Sequence, residues 1–298
     1  MKTYKQLLLF ICTCGMLVLS GQQVGAQNSE LSSLFEKAKQ AGVEEASLTE
    51  LQDRAQAQGI SSQQLRQILQ SAVDMSARNL PGELAIDKAL EGFSKGIPGN
   101  RIIAVLDQVQ QSMVQATDIV DPWLNRPAVQ EMLNQAGSSM PEQNFRNDMA
   151  RAASRSLMKN VSPGNISTIL SQIESDPVVS KVYPADMVAA MQILSDLPTT
   201  ADQPEQSASF IIRALRGGFN ANELQQLPAA LKMGQQRSQL PAASVVDGVA
   251  RQMEGGIPAK QILDNLFNGK VGGGPPGNVP KGLENRPERG NGSGNRGN

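Results

Sequence analysis

Between residues 45 and 268, apolar side chains recur at three- and four-residue intervals, the spacing of one face of an α-helix. Ile86, Leu90 and Phe93 form one such stripe, Gly96 interrupts it, and Ile102 and Leu106 resume it. Val246, Val249 and Met253 do the same before Gly256, with Ile262 and Leu266 after it. Each segment reads as an amphipathic helix, a tight turn and a second amphipathic helix, and so predicts a helical hairpin. Aligned on the turn, five segments share one template. The turn residue is Gly59, Gly96, Asn160, Gly218 or Gly256, and the next position is Ile60, Ile97, Val161, Phe219 or Ile257. The apolar pair six and ten residues on is Leu65 and Leu69, Ile102 and Leu106, Ile166 and Leu170, Leu224 with an imperfect Pro228, and Ile262 and Leu266.

Every column of the template has a physical cause. A residue that ends a helix in the left-handed conformation is Gly or, second best, Asn, and the apolar residue after it folds back on the helix just ended. Helix starters follow: Ser61 with Gln64 and Asn220 with Glu223 have capping-box spacing, and Pro98, Pro163 and Pro258 suit a first turn. No single hairpin buries both its stripes, so neighbouring hairpins must stack. Gly59 and Gly96 are 37 residues apart and Gly218 and Gly256 are 38, the range of two-helix repeats, whereas the steps through Asn160 are 64 and 58. Gly42 and Gly137 are candidates for further copies. The expected arrangement is regular hairpins near 45–110 and 205–268 around an irregular, Pro-punctuated middle, 117–204, where the array bends or opens a groove.

Composition narrows the fold class. Hydrophobic residues make up 40% of the 298 positions but aromatics only 3%, so the core is aliphatic and small, which suits helical layers better than a β-sandwich. The expectation is an all-α protein of stacked helical hairpins, an irregular repeat array spanning 27–268, followed by a disordered Gly-, Asn-, Arg- and Pro-rich tail at 269–298. At the other end, Lys2 and Lys5, the apolar run Leu7–Leu19 and the small residues Val24-Gly25-Ala26 have the layout of a signal peptide, 1–26, cleaved after Ala26. Thirteen apolar residues fall short of the roughly 20 needed to cross a bilayer. A secreted or periplasmic protein with no transmembrane span after cleavage is therefore expected.

That cleavage removes Cys12 and Cys14, and the chain has no histidine. Thiol and imidazole catalysis and Cys/His zinc sites are thereby excluded, and no cofactor or metal is expected. Loss of Lys2 and Lys5 turns a formal net charge of −1 into −3, and Lys270, Lys281, Arg286, Arg289 and Arg296 lie in the tail beside only Glu284 and Glu288. The helical body is acidic, which argues against nucleic acid, while the basic tail suits contact with an envelope polymer.

Three side chains stand out as candidate ligand contacts: Trp123 and Arg126 in "DPWLNRP", and Tyr183 before Pro184. A connector-borne indole stacks on a ligand or else anchors the connector to the core. Glu91, Glu254, Asp202 and Glu205 are the carboxylates near turns and linkers that a cell-wall polysaccharide hydrolase would draw on, but no spacing pairs them. Lys95, Lys159, Arg216 and Lys260 cluster at helix C-termini, where they complement the helix dipole. The sequence points to a non-enzymatic binding or scaffolding protein of the bacterial envelope that engages a protein or peptide partner in a groove between hairpins.

Overall fold

A computed structural model describes residues 29–134, 140–197 and 204–271. All regular structure in them is helical. In chain order the helices are α1 (29–40), α2 (Glu45–Ala57), α3 (Ser62–Ala77), α4 (Glu83–Ser94), α5 (Gly99–Leu124), α6 (Pro127–Leu133), α7 (Glu142–Met158), α8 (Pro163–Glu174), α9 (Pro184–Ile193), α10 (Pro204–Arg216), α11 (Ala221–Ser238), α12 (Ala242–Glu254) and α13 (Ala259–Phe267). Residues 1–26, read from the sequence as a signal peptide, and the tail beyond residue 271 lie outside the described residues, as does Gly137.

Eight described helix ends share one corner. The turn residue has positive φ at Gly42 (89°), Gly59 (65°), Asn79 (58°), Gly96 (66°), Asn160 (65°), Gly218 (75°), Gly256 (71°) and Gly269 (74°). The N–H of the following residue donates to the carbonyl five positions back: Ile60 to Ala55 (2.9 Å), Leu80 to Met75 (3.0 Å), Ile97 to Gly92 (3.0 Å), Val161 to Ser156 (3.0 Å) and Phe219 to Ala214 (3.1 Å), for example. This is the Schellman arrangement, and the apolar residue after the turn closes it: Val43, Leu80, Val161 and Phe219 are buried. Both capping boxes form, Ser61 with Gln64 and Asn220 with Glu223.

The corners at Gly42 and Asn79 are as far apart as those at Gly59 and Gly96, so two interleaved series with a 37-residue period run through α1–α5. Each series is stitched by a side chain that spans 35 residues, backward in one and forward in the other. Ser76 Oγ donates to Ala41 O (3.3 Å), and Gln58 Nε2 donates to Phe93 O. The repeating unit is thus a helix pair with two corners. One period beyond Asn79 lies Ala116, in the middle of the 26-residue α5, and there the series stops.

The described residues form two compact units. One is formed by the described residues within Met1–Asn125 and Pro141–Pro163, the other by those within Arg126–Met140 and Gly164–Asn298. In the first, α2, α3, α4 and α5 pack as successive hairpins around Leu51, Ile68, Leu69, Met75, Ile86 and Phe93. Helix α7 then lies antiparallel on α5, with Ser112 facing Ser154 (Oγ to Oγ 2.8 Å), Asp121 facing Arg146, and Trp123 facing Phe145. In the second unit α11 is central and packs on α9, α12 and α13. Gly234 permits the last contact: a Cβ there would stand 2.9 Å from Leu266 Cδ2.

The Pro-punctuated middle resolves into helix starts. Pro127, Pro163, Pro184 and Pro204 each open a helix, where the missing N–H has no intrahelical partner to lose. Pro122 lies inside α5, so residues 117–124 continue a helix where the Pro pattern predicts a break. Pro228 also sits within α11, and Leu227 is buried beside it on the stripe formed by Leu224, Leu231 and Gly234.

Candidate functional site

A trough of about 810 Å³ opens in the first unit. Its rim holds the Gly42 corner, the "NLPGE" corner of Asn79–Glu83, and the first three turns of α7. Helix α7 presents the trough with polar groups because Phe145 and Met149, four residues apart, are fully buried on its other face. Asn144, Asn147 and Arg151, spaced i, i+3 and i+7, form a polar stripe among the lining residues.

Arg146 fixes this wall. Its Nε and Nη2 donate to the two carboxylate oxygens of Asp121, both at 2.7 Å, and its Nη1 donates to Asn79 O at 3.0 Å. One guanidinium thus ties α5, α7 and the α3 corner together in a planar fork that a lysine cannot reproduce. Ser76, the hydroxyl on the rim, is committed to Ala41 O. Gln143 Nε2 donates to Asn147 Oδ1 (3.1 Å), and Arg151 Nη1 stands 3.8 Å from Asp148 Oδ1.

The lining sets Glu83 and Asp148 against Arg146 and Arg151, and Asp121, which holds Arg146 from α5, adds one further negative charge. The lining offers amide donors and acceptors, guanidinium donors and carboxylate acceptors, with no aromatic ring among them. Such a surface offers hydrogen bonds to donors and acceptors alike. It gives no stacking platform for a sugar and no basic field for a polyanion.

The candidate ligand contacts from the sequence lie elsewhere. Trp123 belongs to the last turn of α5, not to a connector, and is 4% exposed, with its ring 6.3 Å from that of Phe145. It fills core. Arg126 precedes α6 in the second unit, its Nε 3.7 Å from Glu174 Oε2. Tyr183, also in that unit, is 57% exposed at the start of α9.

Two of the four carboxylates, Glu91 and Glu254, are held by cations. Glu91 Oε2 takes Lys88 Nζ and Oε1 takes Lys95 Nζ, each at 2.6 Å, and these two hydrogen bonds pull its pKa down to about 2. An acid that stays ionised throughout the neutral range donates no proton to a leaving group. Glu254 pairs with Arg213 (2.9 Å) in the other unit, Glu205 lines a separate concavity of about 300 Å³ beside Phe210, and Asp202 is outside the described residues. Lys95 and Arg216 sit at helix C-termini and also make ion pairs. Lys95 holds Glu91, and Arg216 holds Asp176 through Nη2 at 2.5 Å and Nε at 3.2 Å. Among the described residues no three metal-ligating side chains gather, and no helix is long and apolar enough to cross a membrane.

The trough escaped the sequence reading, although "NLPGE" at 79–83 repeats the pattern of "GIPGN" at 96–100: turn residue, apolar residue, Pro, Gly. A template stepped at one turn per hairpin passes over every second corner. Comparison with known proteins finds no matching family model, no matching curated protein and no solved structure of matching fold.

Proposed function

We propose that this chain is an exported, non-enzymatic binding or scaffolding protein of the bacterial envelope, and that it holds a polypeptide partner against its stacked helices. The observation that carries this reading is the polar trough without aromatic rings, framed by helix corners that Arg146 and Ser76 tie through hydrogen bonds to Asn79 O and Ala41 O. Helical repeats lend themselves to this use because their stacking makes extended surfaces from short, rigid pieces. Export rests on the leader-like residues 1–26, and the lack of catalysis rests on a chain without histidine whose turn-flanking carboxylates are engaged by cations.

The test is site-specific photocrosslinking in the native cell. A crosslinker placed at Asn144 is expected to capture a polypeptide that one placed at exposed Val105 does not, in the envelope fraction. Release of fragments from peptidoglycan by the purified chain, abolished by changing Glu83 or Asp148, would overturn this reading in favour of a hydrolase.

A further inference from the structure

We infer that the groove between α11 and α12 in the second unit is the seat of residues 279–283 of this same chain, "VPKGL", which lie beyond the described residues. The groove has a volume of about 460 Å³, and Pro228, Leu231, Val245 and Val246 give it a mostly apolar lining. The last described residues are fixed to both of its walls. Gly269 lies against the end of α11, where a Cβ on it would stand 2.7 Å from Arg237 Cβ, and Gln235 of the groove is two residues from Arg237. Val271 is buried, and its carbonyl accepts from Gln252 Nε2 (2.8 Å) on α12, six residues after Val246. From Arg237 back to Pro228, α11 covers about 14 Å. The eight residues from Val271 to Val279 reach about 26 Å when extended, so the segment arrives with slack.

Composition singles out the occupant. Prolines aside, Val279 and Leu283 are the only apolar side chains in residues 272–298, and an apolar groove beside the point where that stretch begins offers them burial. Pro280 biases Val279 toward extended backbone, in which positions 279, 281 and 283 share one face. Lys281 thus enters between the two apolar contacts, its stem along the wall and its ammonium toward Asp196 of the lining. Charge favours the same pairing. The groove meets the concavity beside Phe210 at Val246, and together they set Asp196, Glu205 and Asp247 against Lys232 and Arg213. Glu254, which holds Arg213, makes it four carboxylates to two cations. Residues 272–298 carry the reverse, Lys281, Arg286, Arg289 and Arg296 with Glu284 and Glu288. The inference stands apart from the partner reading, which concerns the trough of the other unit.

The experiment uses the chain lacking residues 1–26, which leaves it without cysteine, and introduces cysteines in pairs. Under mild oxidation, Gln235→Cys with Gly282→Cys should close a disulfide within one chain at least tenfold faster than two control pairs. One control is Gln235→Cys with Gly294→Cys, whose tether from Val271 is about twice as long, a difference that by itself accounts for only about threefold. The other is Gly282→Cys with Lys260→Cys, on an exposed position of α13 outside the groove. Adding Val279→Ser and Leu283→Ser to the first pair should slow it to the control rate with circular dichroism unchanged, since neither residue belongs to a described helix. Equal rates for the three pairs overturn the inference, and so does a fast rate that the two serine changes leave untouched. A disulfide that joins two chains, at a rate rising with protein concentration, gives the groove to a second copy and overturns it too. If the disulfide fails to form and a photocrosslinker at Gln235 captures a separate polypeptide in the native cell, the occupant is an external partner and the inference is wrong. The reading of the trough, tested at Asn144, survives each of these outcomes.

Discussion

Arg146 donates from α7 to the carbonyl of Asn79, 67 residues earlier in the chain, and so closes the last corner of the Gly42 series. The bond takes the place of the Ser76-to-Ala41 stitch one period back. Because the same guanidinium holds Asp121 through two bonds, Arg146→Ala removes three charge-assisted hydrogen bonds from a side chain that is 18% exposed. A loss of about 2–3 kcal/mol is expected, with Arg146→Lys recovering less than half of it. Urea unfolding of the two variants beside the parent chain measures both.

Corner residues separate by backbone conformation. Gly96→Ala places a Cβ at φ 66°, where nothing crowds it but the left-handed backbone itself costs about 1–2 kcal/mol. Asn79→Gly occupies the same conformation more comfortably and should raise stability slightly or leave it unchanged. The sign of the shift in thermal midpoint distinguishes the two.

Gly82 fails for a different reason. Its φ of −62° is ordinary, yet a Cβ there would come within 2.5 Å of the Ala72 carbonyl oxygen and 2.3 Å of Ser76 Oγ. Gly82→Ala should cost about 1–3 kcal/mol by overpacking, despite a helix propensity that favours Ala. A stable Gly82→Ala chain with unchanged midpoint would contradict the close approach.

Glu91 makes a pH prediction. Its folded pKa lies at about 2, below the ordinary value of 4.5, so its contribution to stability is fully present above 4.5 and is lost as pH falls through about 2. With 43% of the side chain exposed, the contribution is small and salt weakens it. A carboxyl NMR titration should find Glu91 low, rising toward the ordinary value in Lys95→Ala and in high salt.

Asp186 behaves oppositely. Burial raises its pKa, against the pull of the Ala221 N–H that donates to Oδ1 at 2.6 Å, and the Glu223 carboxylate adds to the rise. A raised carboxyl stabilises the fold while protonated, and that stability is lost as pH climbs from 3.8 through the folded pKa. Asp186→Asn keeps an acceptor for Ala221 and should be at least as stable as the parent at neutral pH. Asp186→Ala leaves the N–H of the first α11 residue unmatched and should lose about 1 kcal/mol.

Much of the fold was legible because its information is local. The left-handed turn residue, the apolar residue after it and the i, i+4 stripe are all consequences of one helix end, so Gly59, Gly96, Asn160, Gly218 and Gly256 could be found without knowing what packs where. What escaped depends on distance along the chain. Pro122 reads as a break because local chemistry disfavours it in a helix, but α5 is held through Trp123 and Asp121 by residues of α7. The trough escaped likewise: Asn144, Asn147 and Arg151 look like any solvated helix face until Arg146 places them beside the Asn79 corner. Trp123 drew attention as a rare residue near prolines, and rarity carries no information about which side of a helix faces inward.

The division of the chain sets limits on how it can be made and cut. Residues Arg126–Met140 are spent on the second unit before α7 returns to complete the first. No single cleavage yields both units whole. Cutting after Asn125 costs the first unit α7, and cutting after Pro163 leaves α6 stranded on the wrong fragment. During synthesis the first unit cannot close its α5 seam until residue 163 has been made, so α5 must wait with its Trp123 and Met113 face uncovered.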